Sequence, residues 1–173
     1  MAFELKRTGQ IAFLPVVLQP ALASIRASQS QTEADRSWDL TQTLQIANLL
    51  LESGQKASSL ALLQQVLPEI QALRATQFPA TPVQLLSQAA TLYASLGEVS
   101  QAKALLATAQ AQAQTLAPAT GRPTALAQVA RSYAAMGQVQ TARALASQIK
   151  VQAYCSASAA STCAAVCQSG RER

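Results

Sequence analysis

The stretch LSQAATLYASLGEVSQAKALLATA, residues 86–109, carries apolar residues at spacings of three and four on both sides of Gly97. That is the pattern of two amphipathic helices joined by a short turn. Two further segments superimpose on it when aligned on a glycine: LQIANLLLESGQKASSLALLQQV, residues 44–66, around Gly54, and LAQVARSYAAMGQVQTARALASQI, residues 126–149, around Gly137. Seven residues before each glycine stands Ala47, Ala90 or Ala130, and four before it Leu50, Tyr93 or Tyr133. Five residues after it comes Ser59, Ala102 or Ala142, nine after it Leu63, Leu106 or Ala146, and twelve after it Val66, Ala109 or Ile149. Glycine takes the left-handed conformation that ends a helix, and small residues flanking the turn let two backbones approach. The Leu or Tyr four residues earlier is then the wedge between them. One such hairpin cannot bury its apolar face alone, whereas three stacked in series make a continuous core.

The links agree with this division. Thr81-Pro82 and Arg122-Pro123-Thr124 place a proline where a helix begins, since its missing N–H costs nothing in the first turn, and Pro79, Pro118 and Gly121 lie in the joints. The expected helices run near 38–53 and 55–75, 82–96 and 98–116, then 123–136 and 138–150, in hairpins near 38–78, 81–119 and 122–150. The expected fold class is all-α.

Composition narrows the chemistry. The 173 residues include 37 alanines and 23 glutamines against 6 glycines and 7 prolines, a mixture that favours helix over sheet. The chain has no histidine, which removes Ser-His-Asp and Cys-His nucleophile pairs and histidine-ligated zinc and haem. No motif places a general base beside a serine or cysteine, so the reading is a protein without catalysis, metal or cofactor. Lys56, Arg74, Lys103, Arg122, Arg131, Arg143 and Lys150 are scattered rather than clustered, and the net charge of +5 comes with little aromatic content. Nucleic acid is not the expected partner.

Residues 1–23 have the three parts of a secretory signal: Lys6 and Arg7, the apolar run from Ile11 to Leu18 interrupted by Pro15, and Ala21-Leu22-Ala23 before Ser24. Eight residues fall short of the roughly 20 a membrane span requires. The expected protein is therefore exported, periplasmic or secreted, without a stable membrane span, and cytoplasmic if the segment is instead an uncleaved first helix. Residues 24–37 are polar and aperiodic, a linker or helical lead-in. The alternating Ala109-Gln110-Ala111-Gln112-Ala113-Gln114 tract extends a helix readily, and Trp38 is expected to seal the first end of the core. The Ser/Ala/Cys-rich tail, residues 151–173, is a tail or capping helix. It holds Cys155, Cys163 and Cys167 at spacings of eight and four, which match no zinc motif, and in an oxidising compartment one pair can close and leave an odd thiol for an intermolecular bridge.

The pattern A-x-x-Y-x-x-x-G-x-x-x-x-A-x-x-x-[LA]-x-x-[AI] resembles the tetratricopeptide repeat. Leu86, Ala90, Tyr93, Gly97, Ala102, Leu106 and Ala109 fall on that family's positions, as do Leu126, Ala130, Tyr133, Gly137, Ala142, Ala146 and Ile149. The first copy is weaker, with Leu50 for the tyrosine and Ser59 for the alanine. The glycines are 43 and 40 residues apart, longer than the common interval of about 34 and like the longer-repeat variety. The resemblance implies a right-handed superhelical array, an α-solenoid, whose concave face is lined by the first helix of each hairpin and holds a peptide or partner protein. Carried over residue by residue, that face is Leu44, Asn48, Leu51 and Glu52, then Gln84, Ser87, Thr91 and Ser95, then Thr124, Ala127, Arg131 and Ala135. Only Asn48 and Arg131 suit capture of a carboxylate, so an acidic chaperone tail is not the expected ligand. The reading is a binding scaffold, with a self-assembling module joined through its open C-terminal face or tail cysteines as the alternative.

Overall fold

The computed structural model describes residue 23, residues 32–73, 78–117 and 121–157, with side chains as far as residue 149. Among the described residues the protein is six helices and no strand: α1 (Glu33–Glu52), α2 (Lys56–Ala72), α3 (Thr81–Ser95), α4 (Val99–Thr115), α5 (Arg122–Ala135) and α6 (Val139–Ala157). The secretory-signal reading of residues 1–23 lies outside the described residues apart from Ala23, as do Cys163 and Cys167.

The three turns are built alike. Gly54, Gly97 and Gly137 have φ of 83°, 93° and 74°, the left-handed region that side chains disfavour. In each, the residue after the glycine donates its backbone N–H to the carbonyl four residues before the glycine: Gln55 to Leu50, Glu98 to Tyr93 and Gln138 to Tyr133, all at 2.9 Å. The glycine N–H reaches the carbonyl three residues back at 3.0 Å in every case. These two bonds satisfy carbonyls that a helix end otherwise strands, and they reverse the chain into the second helix. Pro82 and Pro123 sit in the first turns of α3 and α5. Arg122 Nε donates to the Leu116 carbonyl, fastening the start of α5 to the end of α4.

Two boundaries differ from expectation. Helix α1 starts at Glu33 because Thr32 and Asp35 form a capping box: Thr32 Oγ1 accepts from the Asp35 N–H at 3.1 Å while the Asp35 carboxylate receives the Thr32 N–H. The polar end of the supposed linker is thus the helix's first turn. Helix α6 runs to Ala157, past the expected stop at 150, and takes Cys155 into the helix.

Each hairpin's two helices pack together, α3 also packs on α1 and α2, and α5 on α3 and α4. The core runs along these contacts, with Ala47, Leu63, Leu86, Tyr93, Leu106, Val129 and Leu145 among its buried members. Leu62, Leu105 and Leu145, eight residues after each glycine, are buried in all three hairpins, a position the aligned pattern passed over. Ser59 is the polar member at a place where the other hairpins have alanine, and its Oγ donates to the Ala47 carbonyl at 2.7 Å. The hydroxyl fits because that carbonyl accepts it; an unpartnered one would oppose burial. Trp38, expected to seal the core, is instead 60% exposed on α1. No hairpin precedes it among the described residues, so nothing there covers its ring.

Candidate functional site

The first helices of the hairpins, α1, α3 and α5, lie side by side, so residues in the same register from the turn glycine form rows across them. Two such rows bound the face that the sequence pointed to. Six residues before the glycine stand Asn48, exposed, Thr91, half-buried, and Arg131, exposed. Two before it, Glu52 and Ser95 are exposed together with Ala135, while Gln84 and Thr124 are exposed near the start of their helices and Leu51 is half-buried. Asn48 Nδ2 donates to Glu52 Oε1 at 3.0 Å, so these two residues are held as a pair along α1. Thr91 Oγ1 donates to the Ser87 carbonyl at 2.9 Å and Ser95 Oγ to the Thr91 carbonyl at 3.0 Å, hydroxyls folded back onto their own helix.

Leu44 and Ser87 do not belong to this face. Leu44 is 2% exposed in the core, and Ser87 is fully buried at the joint between the second and third hairpins. Ser87 Oγ donates to the Val83 carbonyl at 2.7 Å, and Ser132 Oγ, buried on α5, donates across the joint to the Ser87 carbonyl at 3.3 Å. Ser132 Oγ also lies 3.4 Å from Thr91 Oγ1. The buried Ser87 and Ser132 hydroxyls are a polar seam between α3 and α5, with their hydrogen bonds spent inside the protein, and half-buried Thr91 borders it.

A row that the sequence reading missed lies along one side of this face. Nine residues before each glycine stands a glutamine: Gln45, exposed, and Gln88 and Gln128, half-buried. The signal was present in the aligned segments, but attention to apolar and small positions passes over a polar residue repeated in register. Each carboxamide offers two donors and an acceptor, as many as a peptide unit can use. Together with Asn48, Thr91, Gln84 and Thr124 they make a face of neutral hydrogen-bonding groups, with Glu52 and Arg131 at opposite ends of it.

Among the described residues, titration is displaced at Tyr93 and Tyr133, whose phenols burial pushes above the ordinary value of 10.0, with the Glu98 carboxylate adding to the effect at Tyr93. Both rings lie in the core, 2% and 8% exposed. Among the described residues no three His, Cys, Asp or Glu side chains gather as a metal-holding group, and no helix is long and apolar enough to cross a membrane. The chain matches no family model, no curated protein and no solved structure.

Proposed function

We propose that this protein is a non-catalytic scaffold that holds an extended polypeptide along the first helices of a short superhelical array resembling the tetratricopeptide repeat. The observation that carries the reading is the glutamine row Gln45, Gln88 and Gln128, in one register on three neighbouring helices and accompanied by Asn48, Thr91 and Arg131. Carboxamides in such a row pair with the N–H and C=O groups of a strand-like ligand whatever its side chains, which favours a polypeptide over a small metabolite. Apart from Trp38, exposed two turns before Gln45, the face is short of large apolar side chains, so affinity rests mainly on hydrogen bonds to the backbone. Helices in hairpins hold the row rigidly and reduce the ordering entropy that binding costs.

The test is crosslinking of the full chain in its source cells, compared with a variant carrying Gln45→Ala, Gln88→Ala and Gln128→Ala. Loss of the captured polypeptide, with the melting temperature unchanged, supports the reading. Capture undiminished by the triple substitution sinks it. The same preparation reports on export, since a mass corresponding to a chain beginning at Ser24 is the expected result and a chain retaining residues 1–23 is the contrary one.

A further inference from the structure

Among the described residues, positions that share a register but not an environment mark two open ends. Nine residues after the turn glycine, Leu63 and Leu106 are buried beneath the following hairpin, while Ala146 on α6 is exposed. Five and twelve after it, Ser59 and Ala102, then Val66 and Ala109, are buried, whereas Ala142 and Ile149 are half-buried. Ten before it, Leu44 and Ser87 are buried and Ala127 is half-buried. The third hairpin therefore presents, on α5 and α6, the same face with which the first and second hairpins receive a successor.

The first hairpin shows the complementary opening. Twelve residues before the glycine, Leu85 and Ala125 are buried but Gln42 is half-buried, and five before it Leu92 and Ser132 are buried but Leu49 is half-buried. With the exposed indole of Trp38, Gln42 and Leu49 form one stripe of α1, at helical spacings of four and seven. The Ser132 to Ser87 bond fixes how the two faces meet inside the chain: the residue five before one glycine seats on the residue ten before the preceding glycine. The same joint repeated between molecules sets Leu49 of one over Ala127 of another.

The net charge of the hairpins favours the pairing of unlike ends. Within the helices, hairpin one has five acidic residues (Glu33, Asp35, Asp39, Glu52, Glu69) against Arg36 and Lys56, net −3. Hairpin two has Glu98 in its turn and Lys103, net 0, and hairpin three has Arg122, Arg131, Arg143 and Lys150 with no acid, net +4. Like ends repel and unlike ends attract, so pairing of two third hairpins is opposed while head-to-tail docking is steered.

We propose that the open α5–α6 face of this protein docks the α1 face of a second copy, head to tail. Because the two contact surfaces differ, each docked pair keeps one free end of each kind, and the association is open-ended unless the rotation closes a ring. On α1 this surface includes Gln45 of the glutamine row, whereas Ala146 lies on α6, outside the row, so variants at Ala146 distinguish failure of this proposal from failure of the glutamine reading.

The experiment is sedimentation velocity on the full chain across a concentration series, at about 0.01 M and about 1 M salt, between which the Debye length falls from about 30 Å to about 3 Å. The expected result is a mass that rises above 18.1 kDa with concentration at low salt and returns to the monomer at high salt. Ala146→Arg, at an exposed position that leaves the fold intact, is expected to give monomer throughout. Ala146→Leu, which restores the residue of the other two hairpins, is expected to lower the concentration of half-association by about tenfold, and Arg143→Glu to weaken it by a similar factor. A monomer at every concentration overturns the proposal. So does association that Ala146→Arg leaves unchanged, or association that disappears only on reduction of the cysteines.

Discussion

The second and third hairpins turn on the same hydrogen bonds and bury a tyrosine at the same register, Tyr93 or Tyr133. Nine residues past the turn they part: Leu106 is wholly buried and Ala146 is exposed. The difference owes nothing to the turn or to either helix alone. It arises because α5 lies over α4, while no described hairpin lies over α6. The shift from leucine to alanine matches that exposure, since a leucine left in water forgoes the roughly 1.5–3 kcal/mol its burial contributes.

Substitutions probe this contrast most strongly at its shared centre. Tyr93→Ala removes a ring that is 2% exposed in the core, and is expected to cost about 3–5 kcal/mol in chemical denaturation. A loss below about 1 kcal/mol would show that the ring does not act as a wedge. Leu106→Ala is expected to cost about 2–5 kcal/mol, whereas Ala146→Ser, at the same register, stays within about 0.5 kcal/mol. Equal costs at these two positions would break the comparison, because burial by the next hairpin would then count for nothing.

The turns provide the control. Gly97→Ala and Gly137→Ala each force a side chain into the left-handed region, while the added Cβ meets nothing within 4 Å at either site. Both are expected to cost about 1–2 kcal/mol, from backbone conformation alone. Unequal costs would mean that the two turns carry different loads despite their shared geometry.

The smallest effect is expected in alkali. Burial, with Glu98 beside Tyr93, raises both tyrosines above 10.0, so the folded chain holds these protons more tightly than the unfolded one. Their contribution is complete below pH 10 and is lost as pH climbs through the raised values. Tyr93→Phe should therefore flatten the fall in melting temperature above pH 10 relative to the unsubstituted protein. An unchanged alkaline slope would count against the buried phenol as its source.

Much of the fold was legible where the physics is local. Gly54, Gly97 and Gly137 announced left-handed turns, and Pro82 and Pro123 announced helix starts, because such residues act on backbone within a few positions. The start of α1 escaped because a capping box is made of polar residues and looks, by composition, like linker. Leu62, Leu105 and Leu145 were overlooked because the pattern followed their neighbours at the next position, where Ala146 turned out to be exposed. The candidate face was legible in part. Asn48, Gln84, Ser95, Thr124 and Arg131 do stand exposed along it, but Leu44 and Ser87 are buried, and the glutamine row went unread.

The amino-acid sequence was sufficient for the hairpins, because an amphipathic period and a glycine at its break settle a helix, a turn and a second helix within some twenty-five residues. It was not sufficient for the status of any one side chain on those helices. Ser59, Ala102 and Ala142 occupy one register, yet the first hydrogen-bonds in the core, the second is sealed and the third is half open. Burial is set by whichever helix arrives from far along the chain, and a local pattern carries no record of whether one does.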